Sequence, residues 1–300
     1  METPASTALP RRYPLLRPAT LLERGQRSLL VAVTVLTVAA WLVTLLQART
    51  MDMPMGIVAR ATAGEEVGGM AMGGAGEMAA SGMSAAEWSI AAFATFIVAW
   101  TVMMAAMMFP AAMPMLLLFQ RVYAPRRAQG GAFVPTWVFA AGYLLVWSAV
   151  GALTWAFVSI ASDLAGRLSA TERETWAPLA LGAVLALAGL YQLTPQKRVC
   201  LNHCRTPFGF VMTHWREGVP GALRMGIVHG AYCLGCCWAL FTVLVAAGVM
   251  SLAWMLLLTL VVFAEKVMPG GRGTSRVVGV AFMVLAILVA SGSTAMPWTA

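Results

Sequence analysis

Apolar residues in this chain gather into seven blocks, at 28–47, 88–109, 135–160, 176–193, 226–249, 251–267 and 276–290. Each is close to the roughly 20 residues that a helix needs to cross a bilayer. The blocks are continuous runs rich in Leu, Ala and Val, without the period-two alternation of a barrel strand. In hydrocarbon every backbone N–H and C=O needs an internal partner, so runs of this kind must be helices. The pattern predicts an all-α integral membrane protein, a polytopic bundle of about seven transmembrane helices. The second block is expected to continue past Pro110 and Pro114 toward Phe119 as a kinked or restarted helix.

Composition strengthens this reading. The chain is 60% hydrophobic and 11% charged, against about 25% charged residues in a soluble domain. The net charge of +8 does not point to nucleic acid, because no basic run is interleaved with aromatics. Instead the charge sets orientation. Arg11, Arg12, Arg17, Arg24 and Arg27 precede the first block, and Arg121, Arg126 and Arg127 follow the second. Lys197, Arg198, Arg205, Arg216 and Arg224 lie between blocks four and five, and Lys266, Arg272 and Arg276 between six and seven. The intervening loops lack this excess. The N-terminus is therefore expected in the cytoplasm and the C-terminus outside, as in a multi-pass membrane protein.

The chain divides accordingly. Residues 1–27 read as a disordered basic cytoplasmic N-terminus, 28–47 as transmembrane helix 1, and 48–87 as a Met- and Gly-rich outside loop. Residues 88–293 form a six-helix membrane domain, and 294–300 a short outside tail. The first block is longer than the usual 7–15-residue signal core and lacks a nearby cleavage pattern, so it reads as an uncleaved anchor.

Within this frame, HGAYCLGCCW places His229, Cys233, Cys236 and Cys237 within an arc of roughly 100° on one face of block five. Thiolate and imidazole bind Cu(I) or Zn(II) well. Cysteine is also a small apolar residue suited to close packing, but an ionisable histidine inside a span is a functional candidate. Met103, Met104, Met107 and Met108 form two neighbouring columns in block two, and thioether sulfur is a soft Cu(I) ligand, though Met also fills apolar gaps. Counting residues from each membrane face puts this Met cluster and the Cys/His stripe at comparable depth. Cys200, His203 and Cys204 (CLNHC) offer an inner set, and Met51, Met53, Met55, Met70, Met72, Met78 and Met83 an outer one. Glu265 and Lys266 read as a snorkelling boundary pair at the inner end of block six. With all five cysteines on the cytoplasmic side or inside the membrane, a disulfide framework is not expected.

The motifs WTVMMAAMMFPAAMPM (100–115), YQLTPQKRVCLNHCRTPFGF (191–210) and GALRMGIVHGAYCLGCCWAL (221–240), with Glu265–Lys266, carry a resemblance. From block two to block six the chain resembles a bacterial family of metal-binding integral membrane proteins of unassigned function. The resemblance implies an inner-membrane helical protein that binds metal, copper above all, through the Met, Cys and His residues just named.

Three function classes follow. The first is a soft-metal protein that transports Cu(I), with zinc as the alternative ion, or exchanges it with a metal-donor or metal-acceptor protein. The second is a membrane thiol/redox protein using CLGCC, against which the mid-helix position of the thiols argues. The third is a structural subunit whose Cys and Met residues only pack. A phosphate loop G-x-x-x-x-G-K-[ST] is missing from the sequence, as is a C-x-x-C-H haem site. The first class is favoured; whether the chain is an enzyme stays open, with the balance against it.

Overall fold

The computed structural model describes residues 24–50, 90–128, 134–247 and 252–291. The Met-rich loop, the 294–300 tail and nearly all of the N-terminal segment lie outside these residues. Among the described residues the chain is helical: α1 (Arg24–Thr50), α2 (Ile90–Ala128), α3 (Thr136–Gly166), α4 (Ala170–Leu193), α5 (Pro195–Arg205), α6 (Pro207–His214), α7 (Gly218–Ala247), α8 (Leu252–Val267) and α9 (Gly271–Ala290). Six of them, all but α5, α6 and α8, are long and apolar enough to cross a membrane. The block at 251–267 is the 16-residue α8, about 24 Å at 1.5 Å per residue, short of a typical hydrocarbon thickness of about 30 Å.

A single helix runs through Pro110 and Pro114 in α2. Each proline removes an N–H donor from the helical ladder. The start of α7 lies at Gly218, eight residues before the apolar block (226 − 218), where a φ of +75° suits glycine. Apolarity marks only the part of the helix that hydropathy can see, and the amphipathic turn with Arg224 precedes it. The turn from α3 into α4 is capped by Ser169, whose backbone N–H donates to Glu172 Oε2 at 2.8 Å while its hydroxyl accepts from Glu172 N–H. The Ser169 hydroxyl, donating to Glu172 Oε2 at 2.7 Å, and then the Ser169 backbone N–H hold the Glu172 carboxyl below its ordinary value.

The helix α7 is the most enclosed of the long helices and packs against α3, α4, α5 and α8. Its approach to α3 depends on glycine: a Cβ on Gly226 would collide with the Phe139 carbonyl, and one on Gly142 with the Leu223 carbonyl. A similar contact joins α4 to α9 at Gly189 and Gly279. The outward faces remain apolar, with Leu153 71%, Leu187 65% and Ile287 66% exposed. Such a surface suits lipid as solvent, since large apolar patches are rare on soluble monomers.

One end of the bundle collects the polar chemistry. Tyr123 donates to the Arg216 carbonyl at 3.2 Å, Arg205 donates to the carbonyls of Glu265 and Pro269, and Arg272 donates to Asn202 Oδ1 at 3.0 Å. The segment after α4, expected as a loop, folds into α5 and α6. Thr194 caps α5 by accepting from the Lys197 N–H, and Pro195 occupies the first turn, where its missing donor costs nothing.

Candidate metal site

The sulfur chemistry lies where α2, α3, α5, α7 and α8 meet. On α7, Cys233, Cys236 and Cys237 are 1%, 0% and 1% exposed and all are free thiols. The Cys236 and Cys237 thiols donate back to the Cys233 carbonyl at 3.1 and 2.8 Å, a local bond that fixes their rotamers on the helix.

Two other helices bring soft atoms to this stripe. Met108 Sδ on α2 is 4.0 Å from Cys233 Sγ, and Cys204 Sγ on α5 is 4.0 Å from Cys236 Sγ. Block two and block five therefore meet at the depth that residue counting suggested. Met103, Met104 and Met107 are buried in the same core. Cys200 rests on α7 at Gly235, where an added Cβ would stand 2.8 Å from its sulfur. Burial pushes the Cys200 thiol above its ordinary value, with the neighbouring Cys236 adding to the effect.

The histidines separate from one another. His229 is 3% exposed, and its ring is surrounded by Phe139, Tyr143 and Phe210 at 5.8, 5.8 and 5.3 Å. Its Nδ1 is buried with no hydrogen-bond partner among the described residues, a condition that costs about 1–3 kcal/mol for a polar atom. His203 faces elsewhere: its ring stacks on Tyr232 at 4.1 Å and its Nδ1 bonds the Val199 carbonyl at 2.9 Å. His214, which the sequence pattern did not mark, stacks on Phe210 at 4.6 Å. All three histidines of the chain thus surround the Phe210–Tyr232 pair.

The reading of Glu265 and Lys266 as a boundary pair is corrected. Both are buried, at 1% and 8% exposure, and they do not pair with each other. Glu265 accepts from Lys197 Nζ through both carboxylate oxygens, at 3.0 and 2.8 Å. Lys266 Nζ donates to Cys233 Sγ at 2.8 Å, and the Tyr143 hydroxyl reaches the same sulfur at 3.0 Å. A snorkelling lysine needs a path to water, whereas α5 packs against this end of α8. The partners lie 33 to 90 residues away in sequence, which is why hydropathy did not reveal them.

Among the described residues, no three His, Cys, Asp or Glu side chains converge as a ready site for one ion. What converges is a pair of sulfur contacts one helical turn apart, one of them through a thioether. No curated protein matches the chain, and no solved structure does. The family model described as PpoB2, copper chaperone, matches residues 97–289, which spans α2 to α9 and every sulfur and imidazole in the cluster. The chain belongs to the PpoB2 copper chaperone family.

Proposed function

We propose that this chain is an integral membrane copper chaperone of a bacterial inner membrane, one that holds Cu(I) as cargo and passes it to a partner protein. The observation that carries this reading is the meeting of soft donors from three helices, Met108 with Cys233 and Cys204 with Cys236. Thioether sulfur favours Cu(I) and binds hard cations poorly. The central ligands are His229, Cys233, Cys236 and Cys237, with Met103, Met104, Met107 and Met108 as a supporting set. Cys200, His203 and Cys204 form the inner set, facing a cytoplasmic partner. The orphaned His229 Nδ1 supports a role in binding, because an unpaired buried nitrogen is unfavourable unless something else engages it.

The six long apolar helices with apolar outward faces support membrane insertion. The loop charges favour an inside N-terminus and an outside C-terminus, an odd number of crossings that requires the short α8 to be the seventh. A thiol-redox reading would use Cys204 and Cys236, whose sulfurs approach, rather than the CLGC pair.

The test is metal content by mass spectrometry on reduced, Cu(I)-loaded protein in detergent, beside a Cys233→Ser/Cys236→Ser/Cys237→Ser variant. The expected result is near-stoichiometric copper in the wild type and loss of it in the variant. Equally little copper in both overturns the copper reading and leaves the thiols to packing or redox chemistry.

A further inference from the structure

The donors gathered here do not by themselves choose an ion, because cysteine and histidine bind Zn(II) as readily as they bind Cu(I). Charge can choose. Lys266 lies in the last turn of α8 with its Nζ 2.8 Å from Cys233 Sγ, 8% exposed. The adjacent carboxylate does not neutralise it, since both oxygens of Glu265 are taken by Lys197 Nζ. Among the described residues no carboxylate pairs with Lys266. Its remaining neighbours at this sulfur are neutral, the Tyr143 hydroxyl at 3.0 Å and the Met108 thioether at 4.0 Å from Cys233. A fixed cation therefore stands beside the ligand sulfur, where an apolar interior leaves it unscreened.

We propose that Lys266 is the specificity-determining residue of the site: its cation against Cys233 admits a monovalent ion and opposes a divalent one. The proposal rests on the copper reading above and names the feature that separates Cu(I) from Zn(II). The repulsion between Lys266 and a bound ion scales with the ion's charge, so it acts on Zn(II) with twice the free energy that it exerts on Cu(I). Neutralising Lys266 removes this repulsion from both ions, with the factor regained by zinc near the square of that regained by copper, while the added cost of releasing the Cys233 proton is common to both and leaves the ratio unchanged. If the repulsion removed is worth about 10-fold for Cu(I), it is worth about 100-fold for Zn(II), and selectivity falls by about 10-fold.

The experiment titrates Cu(I) and Zn(II) separately against chromophoric chelators on the purified, reduced full chain in detergent. Wild type is compared with Lys266→Met, Lys266→Gln and Lys266→Arg, each checked for monodispersity and helicity. The expected result is a copper preference in the wild type, its loss by at least about 10-fold in both neutral variants, and its retention with arginine. An unchanged Cu(I)/Zn(II) ratio in a folded neutral variant overturns the proposal. So does failure of both neutral variants to fold, since the lysine would then serve structure alone. A wild type that holds no Cu(I) is a different failure, and removes the copper reading together with this one.

Discussion

Lys197 and Glu265 form an ion pair of 2.8 Å whose side chains are only 1% and 2% exposed, joining α5 to the last turn of α8. Removing one partner of such a pair leaves a buried charge uncompensated, which costs about 3–5 kcal/mol, whereas replacing both with apolar residues is often neutral. Glu265→Gln and Lys197→Met are each expected to lower stability by about 3–5 kcal/mol. The double replacement Lys197→Met/Glu265→Leu should recover most of the loss. A double-mutant cycle from denaturation in detergent checks this, and additive single losses would show that the pair is not coupled.

The α3–α7 contact offers a second prediction. At Gly226 a methyl group would collide with the Phe139 carbonyl, which is backbone and cannot turn aside. Gly226→Ala should destabilise by about 1–3 kcal/mol through overpacking. It should also lower copper retention, because the helix displaced carries Tyr143, whose hydroxyl lies on Cys233. Gly273→Ala, with nothing within 4 Å of the added carbon, should be neutral or slightly stabilising, as alanine is the better helix residue. Thermal midpoints and copper stoichiometry, measured on both variants, decide the matter. Equal behaviour would mean that the helices can separate without consequence.

How much of this was legible in the sequence depends on how local each cause is. The long helices were legible because about 20 apolar residues in a row state their own environment. The Cys/His stripe was legible because helical periodicity alone puts His229, Cys233, Cys236 and Cys237 on one face. The approach of Met108 to Cys233 was half legible: depth could be counted, but neighbouring helices could not be identified. Lys266 and Lys197 were not legible, since a basic residue near a span's end reads the same whether it snorkels or is covered by a later helix. That cover comes from α5, whose helical form is concealed by polar composition between two apolar blocks. The local signals were the Thr194–Pro195 start of α5 and the Thr206–Pro207 start of α6, each an N-cap residue followed by a first-turn proline.

Orientation gives a third prediction. The contacts of Arg205, Arg272 and Tyr123 gather the basic segments at one end of the bundle, and the positive-inside bias assigns that end to the cytoplasm. The short α3–α4 turn with the Ser169–Glu172 cap lies at the opposite end. A fluorescent-protein fusion at the N-terminus should therefore be bright, and an alkaline phosphatase fusion after Ser291 should be active outside. Phosphatase inactive after Ser291 but active when inserted at Ser169 would mean that α8 does not cross the membrane.

The cysteines themselves should not be equivalent. Cys233 and Cys236 each meet a sulfur from another helix, whereas the Cys237 thiol meets groups of its own helix, the Cys233 carbonyl and the Cys233 and Cys236 thiols. Cys236 and Cys237 must each give up a bond to the Cys233 carbonyl, which contributes about 0.5–1.5 kcal/mol, but only Cys236 already faces a donor from another helix on which to close. Cys233→Ser and Cys236→Ser are thus expected to weaken Cu(I) by at least about 10–100-fold, the range seen even for groups that only support a metal ligand. Cys204→Ser should follow the Cys236 variant, since the two thiols form one contact, and Cys237→Ser should lose least. Titration of the four single variants against a Cu(I) chelator gives the order directly. If Cys237→Ser proved as damaging as Cys233→Ser, the site would close around α7 alone, and the contributions of Met108 and Cys204 would be packing rather than coordination.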